Sequence, residues 1–544
     1  MSLFSRFISV LIIFPVLLLT ACSTHSPSPE PQLVVMVSID QLRADRLDPE
    51  LPGGLGRLAR EGFVFTNATL DHGLTNTCPG HVVMSSGRNP GKTGIPGNSY
   101  IDHVTGRERY CVDEPGSDNV VNGSDHTRSP AAITVSTFGD WLKDYSADSR
   151  VFSVSAKDRA AITLGGKEAD GVYWYHSGTE RFTTSAYYAE ELPAYVAAFN
   201  GADAFEDGFA SGFPETWEHP EGSLRVDDYV GEVTMNLRVS GHPLTRGEQR
   251  GNQIYFSPFI DDATGELARL VLAEEELGMR GSTDFLAVSY SATDTVGHLY
   301  GPFSAESEDA LERLDRELGL MLDALDARFG DNYVLALSAD HGVQALPEWL
   351  RDQDDLQCPV PGGRIEMNAF GKTVFGYLIQ RFQIPPDRIT DLIGMAAAGV
   401  TVNAAVAEEI GLDRAAVLVG LEAFLEAQPG IETVWTEAEI RQGESETARL
   451  YRNSWVDGKT GHLIVQSAED CLIWRPEGTT HGSPYLYDRA VPLVFYGRNI
   501  GKGQSDAEAH SIDMAPTLGA AIGMPVPDGL DGAVRSEALR GSGQ

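Results

Sequence analysis

Six residues spread over most of the chain have the types and settings of ligands for two metal ions: Asp40, Asp294, His298, Asp340, His341 and His481. Asp40 closes the apolar run LVVMVSID, Asp294 follows DFLAVSYSAT, and Asp340-His341 closes YVLALSADHG. Carboxylate oxygen and imidazole nitrogen are donors that zinc accepts. Asp294-x-x-x-His298 places two donors within reach of one ion, in a helix or in a tight loop. Asp340 and His341 are adjacent, so on an extended backbone their side chains diverge, and either two ions share the pair or a bent loop re-aims both. One Asp-His-Gly is weak evidence by itself. Three such strand ends together are far stronger than a set of capping Asp and surface His, and they imply metal-assisted chemistry on an anionic substrate.

A nucleophile and anion donors accompany the set. Thr77 precedes Cys78-Pro79-Gly80-His81 and a helix-like run, and a helix N-terminus favours an anion. A threonine hydroxyl needs a metal or a base to become a nucleophile. The competing readings are Thr77 as a simple N-cap and Cys78 as the nucleophile. Asn98 lies in the Gly/Pro-rich loop RNPGKTGIPGNSY. Lys157 and Arg159 follow the run VFSVSA, where period-two alternation would aim both cations to one side. A point charge and a planar fork are complementary donors to phosphoryl oxygens.

The elements that must position these groups alternate strand-like runs with amphipathic helices, which predicts an α/β fold with a doubly wound, mostly parallel sheet. In such sheets ligands gather outside the carboxyl ends of strands. The segment SAESEDALERLDRELGLMLDALDARFG shows a helix start at Ser304, acidic residues in the first turn and apolar Leu311, Leu314, Leu318 and Met321. The core pieces are 33–165, 283–345 and 460–535, all within a catalytic domain spanning 33–535, and 536–544 forms a C-terminal tail. Insert-like regions fall at about 170–282, which is aromatic-rich, and 350–455, of mixed α/β character. Such inserts cap or flank a site, or simply cover an edge.

The chain has 544 residues, 42% of them hydrophobic, and a formal net charge of −37. That charge argues against a nucleic-acid face or a broad anionic-membrane face, so an anionic substrate must be drawn by local cations. Residues 1–21 read as a signal peptide, since Pro15 interrupts an apolar run too short for an ordinary transmembrane anchor. Leu19-Thr20-Ala21-Cys22 resembles a bacterial lipobox, with 22–32 as a lipidated, Pro/Ser-rich tether. An exported protein, periplasmic or attached to the outer membrane, follows. Cys78, Cys111, Cys358 and Cys471 then permit two disulfides. Of three pairings, Cys78–Cys111 with Cys358–Cys471 closes the shorter loops. Free buried thiols are the alternative.

SIDQLRAD, TNTCPGHVVMSSG, GIPGNSY, SVSAKDRAAI, SYSATDTVGHLYGPFSAESEDALERLD, LSADHG and HGSPYLYDRAVPLVFYG occur in that order. Together they resemble the bacterial alkaline phosphatases of the type I phosphodiesterase/nucleotide pyrophosphatase branch of the alkaline phosphatase superfamily. The resemblance runs from about residue 33 to the C-terminus and is weakest over 365–455. It implies an alkaline-phosphatase-like fold and two Zn2+ ions. One would be held by Asp294, His298 and His481, the other by Asp40, Asp340 and His341 with Thr77 as its nucleophile. Asn98, Lys157 and Arg159 would bind phosphoryl oxygens. The implied activity is phosphate monoester hydrolysis through a phospho-threonine intermediate, because diesterase relatives generally lack the Lys-x-Arg pair. The closest rival is a phosphodiesterase or nucleotide pyrophosphatase using the same metals. A sulfatase would need Cys-x-Pro-x-Arg, and here Pro79 follows Cys78 directly. A lipid-tethered binding protein without catalysis is the rival from another class, and the intact set of ten site residues weighs against it.

Overall fold

The computed structural model describes residues 31–540, apart from 122, 125, 219–222, 224–228, 234–241 and 244–248. The signal segment and Cys22 therefore lie outside the described residues. A nine-stranded sheet forms the body. In chain order its strands are β1 (Leu33–Ile39), β2 (Phe63–Phe65), β3 (Val151–Ser155), β4 (Gly171–His176), β5 (Arg181–Thr183), β6 (Asp284–Tyr290), β7 (Tyr333–Ser338), β8 (Leu493–Gly497) and β9 (Gly503–Ser505). In space they run β9-β2-β8-β7-β1-β6-β3-β4-β5. The central strands β7, β1, β6, β3 and β4 are parallel, whereas β8 and β5 pair antiparallel with their neighbours.

The apolar runs are continuous because both faces of the sheet are covered. Leu33, Val35, Val37 and Ile39 of β1 point into one core, which is shared with helices Phe259–Glu274 and Ala305–Phe329. Val34 and Met36 point into the other, beside helices Phe138–Tyr145 and Met514–Ala521. Register carries this order to the rim. Ser38 pairs with Ser338 and Ile39 with Tyr290, so Asp40, Asp340 and the Ser291–Asp294 turn emerge together at the carboxyl edge.

Much of 170–282 is built into this body. β4 and β5 extend the sheet, and Phe259–Glu274 packs against one face of it. By contrast, a second lobe has its own core of Val374, Leu378, Val417, Leu421 and Val434. Its antiparallel sheet runs Ile393–Ala396, Gly399–Val402, Leu463–Ser467, Ile431–Thr436, so it draws one strand from beyond residue 455. Disulfides join Cys78 to Cys111 and Cys358 to Cys471, the shorter-loop pairing.

Candidate active site

The rim of the parallel strands gathers all six metal-ligand candidates. His298 Nε2 lies 3.2 Å and His481 Nε2 3.7 Å from Asp294 Oδ1. His341 Nε2 lies 3.2 Å from Asp340 Oδ2 and 3.6 Å from Asp40 Oδ1. The two clusters touch, since the His341 and His481 rings stack with centroids 3.5 Å apart. The loop after β7 bends, so Asp340 and His341 converge on one cluster instead of diverging.

The surroundings leave each imidazole with a nitrogen able to bind a metal. Nδ1 of His298 lies 2.8 Å from the Thr479 carbonyl, Nδ1 of His481 2.6 Å from that of Thr75, and Nδ1 of His341 2.9 Å from that of Gly342. A carbonyl can only accept, so each Nδ1 carries the proton and each Nε2 lone pair is free. Burial lowers the pKa of His341, and burial with the neighbouring His341 and His298 rings holds His481 well below the usual value. Both rings are therefore neutral near pH 7. Asp40 Oδ1 and Asp340 Oδ2 are buried without a hydrogen-bond partner. Orphaned carboxylate oxygens facing a free imidazole lone pair fit a cation between them.

Electrostatics divide the carboxylates. Burial raises the pKa of Asp40, and the nearby Asp294 and Asp340 raise it further. Burial pushes Asp294 the same way, yet His298 and Lys157 hold it well below the ordinary carboxylate range. Lys157, 2% exposed, sits between the clusters, with its ammonium 2.6 Å from Asp40 Oδ2 and paired also with Asp294. Burial opposes that charge, and Asp294 and Asp40 outweigh it.

Thr77 opens the helix Thr77–Ser86, but the N-cap is Asn76, without a side-chain capping bond. The Thr77 hydroxyl is thus not used as a cap. It lies 3.5 Å from His341 Nε2 and 3.4 Å from Arg159 Nη2. Cys78, tied to Cys111, is removed as a rival nucleophile. Its N–H donates to Asn98 Oδ1 at 2.8 Å, which leaves the Asn98 amide N–H groups free to face a ligand. The expected strand alternation does not aim Lys157 and Arg159. Lys157 is the N-cap of helix Asp158–Gly165 and Arg159 lies in its first turn, so helix entry sets their directions. Arg159 Nε is buried and unpaired, a donor ready for an anion.

Several contributors carried no signal in the sequence. Gln41 bridges the clusters: its N–H donates to Asp340 Oδ1 at 3.0 Å and its amide to Asp294 Oδ1 at 2.8 Å. It does so at φ 70°, a conformation that costs a non-glycine residue about 1 kcal/mol or more. Gly297 makes the room, because a Cβ there would stand 2.0 Å from Gln41 Oε1. Asp261 Oδ1 accepts the Ser291 and Ala292 N–H groups at 2.7 and 3.0 Å, setting the start of the helix that carries Asp294 and His298. Asp488 Oδ2 holds the Gly482 and Ser483 N–H groups beside His481. His81 is close to Asp340, at 3.2 Å, but its Nδ1 points to the Thr77 carbonyl and its Nε2 to Ser289 Oγ. That leaves it no lone pair for a metal on the Asp340 side, and makes it a brace between Asp340 and the Thr77 turn.

Residues 34–383 match the family Type I phosphodiesterase / nucleotide pyrophosphatase. A protein of Synechococcus elongatus named alkaline phosphatase PhoV is 32% identical, covering 94% of this chain and 93% of its own length. A protein of Myroides odoratus named calcium-transporting ATPase is 30% identical, with 94% and 95% covered. The crystal structure of the alkaline phosphatase PafA superposes with a TM-score of 0.84 at 26% identity, covering 94% of this chain and all of the other. The chain therefore belongs to the type I phosphodiesterase/nucleotide pyrophosphatase family, in the branch that holds these bacterial alkaline phosphatases.

Proposed function

We propose that this chain is an alkaline phosphatase that hydrolyses phosphate monoesters by in-line displacement at Thr77. The observation that carries the reading is the uncapped Thr77 hydroxyl, set between His341 of one ligand cluster and the Arg159 guanidinium. Asp294, His298 and His481 would hold one zinc ion, and Asp40, Asp340 and His341, with Thr77, the other. When bound, the pair supplies Lewis acidity at the attacking and departing oxygens. Thr77 Oγ1 attacks phosphorus, the P–O bond to the alcohol breaks, and a phospho-threonine forms that water later cleaves. Asn98, Lys157 and Arg159 hold the terminal phosphoryl oxygens. Fixed donors help most where three such oxygens bear charge, and a diester masks one of them.

The PhoV and PafA names support this activity. The name of the Myroides relative finds no support in the site. Imidazole nitrogen is a poor ligand for calcium, and each of the two clusters contains histidine. Export with lipidation at Cys22 is part of the same proposal, supported by the lipobox-like segment and by two disulfides suited to an oxidising compartment.

Diester hydrolysis is the second reading, favoured by the family match. The deciding experiment compares kcat/KM for p-nitrophenyl phosphate and methyl p-nitrophenyl phosphate on zinc-loaded protein and on Lys157→Ala/Arg159→Ala. A strong monoester preference that collapses in the double variant supports the proposal. A diester preference overturns it.

A further inference from the structure

Asp40, Thr77, Lys157, Asp340 and His341 are all buried, so an ester held at Thr77 has little room on the strand side of the site. Its alcohol must project where Asn98, His298 and His481 border open space. That space is a cavity of about 450 Å3, and its far wall comes from the second lobe and the segment after it. The wall is mainly apolar: Met367, Met395, Val400 and Ile473 line it with Gln466 and Ser467 as polar neighbours, and Trp474 stacks near the His298 ring at 5.9 Å. Met367 and Met395 are 42% and 50% exposed, so both present apolar surface to whatever enters the cavity. The wall is also held in place. The Ala398 N–H, one turn beyond Met395, donates to the carbonyl of Ser99, the residue after Asn98, at 3.2 Å.

Charge narrows the occupant. No lysine or arginine lines the cavity among the described residues. Its one carboxylate outside the ligand set, Asp488, is engaged by the loop beside His481. A leaving group with further phosphates would find no counter-cation there. Methionine adapts to varied apolar shapes.

Resting on the monoesterase reading, we infer that this cavity is a leaving-group subsite for neutral apolar alcohols, with Met367 and Met395 as specificity-determining residues. 2-Phenylethyl phosphate and ethyl phosphate test it, because their alcohols are of similar acidity and differ mainly in apolar bulk. The protein should favour the phenylethyl ester in kcat/KM by about tenfold or more. Met367→Gln/Met395→Gln should bring the two esters within about threefold, chiefly by lowering kcat/KM for the phenylethyl ester. Both side chains are half-exposed, so the substitutions remove no core packing. Equal kcat/KM for the two esters in the unaltered protein, or a preference that survives the double substitution, overturns the subsite. Failure to hydrolyse p-nitrophenyl phosphate overturns the monoesterase reading, and the subsite with it. Turnover of that ester with equal alkyl esters overturns the subsite alone.

Discussion

The strand-end rim and the second lobe face each other across one cavity and are built on opposite rules. At the rim, polar groups are buried and held by named partners, while Asp40 Oδ1, Asp340 Oδ2 and Arg159 Nε are left open. Each ligand imidazole is fixed by a backbone carbonyl, and Gln41 ties one cluster to the other. In the lobe, apolar side chains pack a separate small core, and two methionines are left facing the cavity. The rim tolerates little change, because moving one strand end displaces ligands of both clusters. The family match itself stops at residue 383, inside the lobe, although the PafA structure parallels 94% of the chain. On the readings proposed above, the reaction chemistry sits at the rim and the leaving-group subsite on the lobe side of the cavity.

The sharpest way to break that division is at Thr77. Thr77→Ala should lower kcat by about a thousandfold or more while both zinc ions stay bound, read by turnover and metal analysis together. A near-normal rate would show that the nucleophile lies elsewhere. Gln41→Gly comes next: glycine suits φ 70°, so the backbone is relieved and only the amide bridge is lost. Zinc affinity should fall about 10- to 100-fold with no loss of thermal stability. Unchanged affinity would leave Gln41 with a packing role only.

Asp261 sharpens the comparison through pH. Its carboxyl, buried beneath the helix of Asp294 and His298, is pushed up to about 7 by desolvation, against the pull of its two backbone N–H bonds. The folded state then binds a proton that the unfolded chain has already released above its ordinary pKa of 3.8. Stability at this residue is therefore full below about pH 4 and declines until the folded group also ionises near 7. Asp261→Asn should flatten the fall in Tm across that window, and an unchanged pH profile would count against a protonated Asp261. The smallest effect on turnover belongs to the lobe core. Leu421→Ala should cost about 2–5 kcal/mol of lobe stability yet leave kcat for ethyl phosphate within about twofold. A large loss in kcat would mean that the lobe also shapes the rim.

The sequence alone determined which atoms are available. Carboxylates and imidazoles stand at the ends of LVVMVSI, DFLAVSY and YVLALS because apolar strands buried on both faces must end at a polar rim, and that pattern is local. The order of motifs likewise makes the family legible in the sequence. The tertiary structure decided the rest. It made Thr77 the first helical residue rather than a cap, aimed Lys157 and Arg159 by helix entry instead of strand alternation, and built β4, β5 and the Phe259–Glu274 helix into the main body. Gln41, Asp261 and Asp488 gained their roles only from partners distant in the chain or from a particular loop bend. The physical reason is that a donor type is written in one residue. A hydrogen bond between Gln41 and Asp294 exists only once strand register has brought the two ends to the same level.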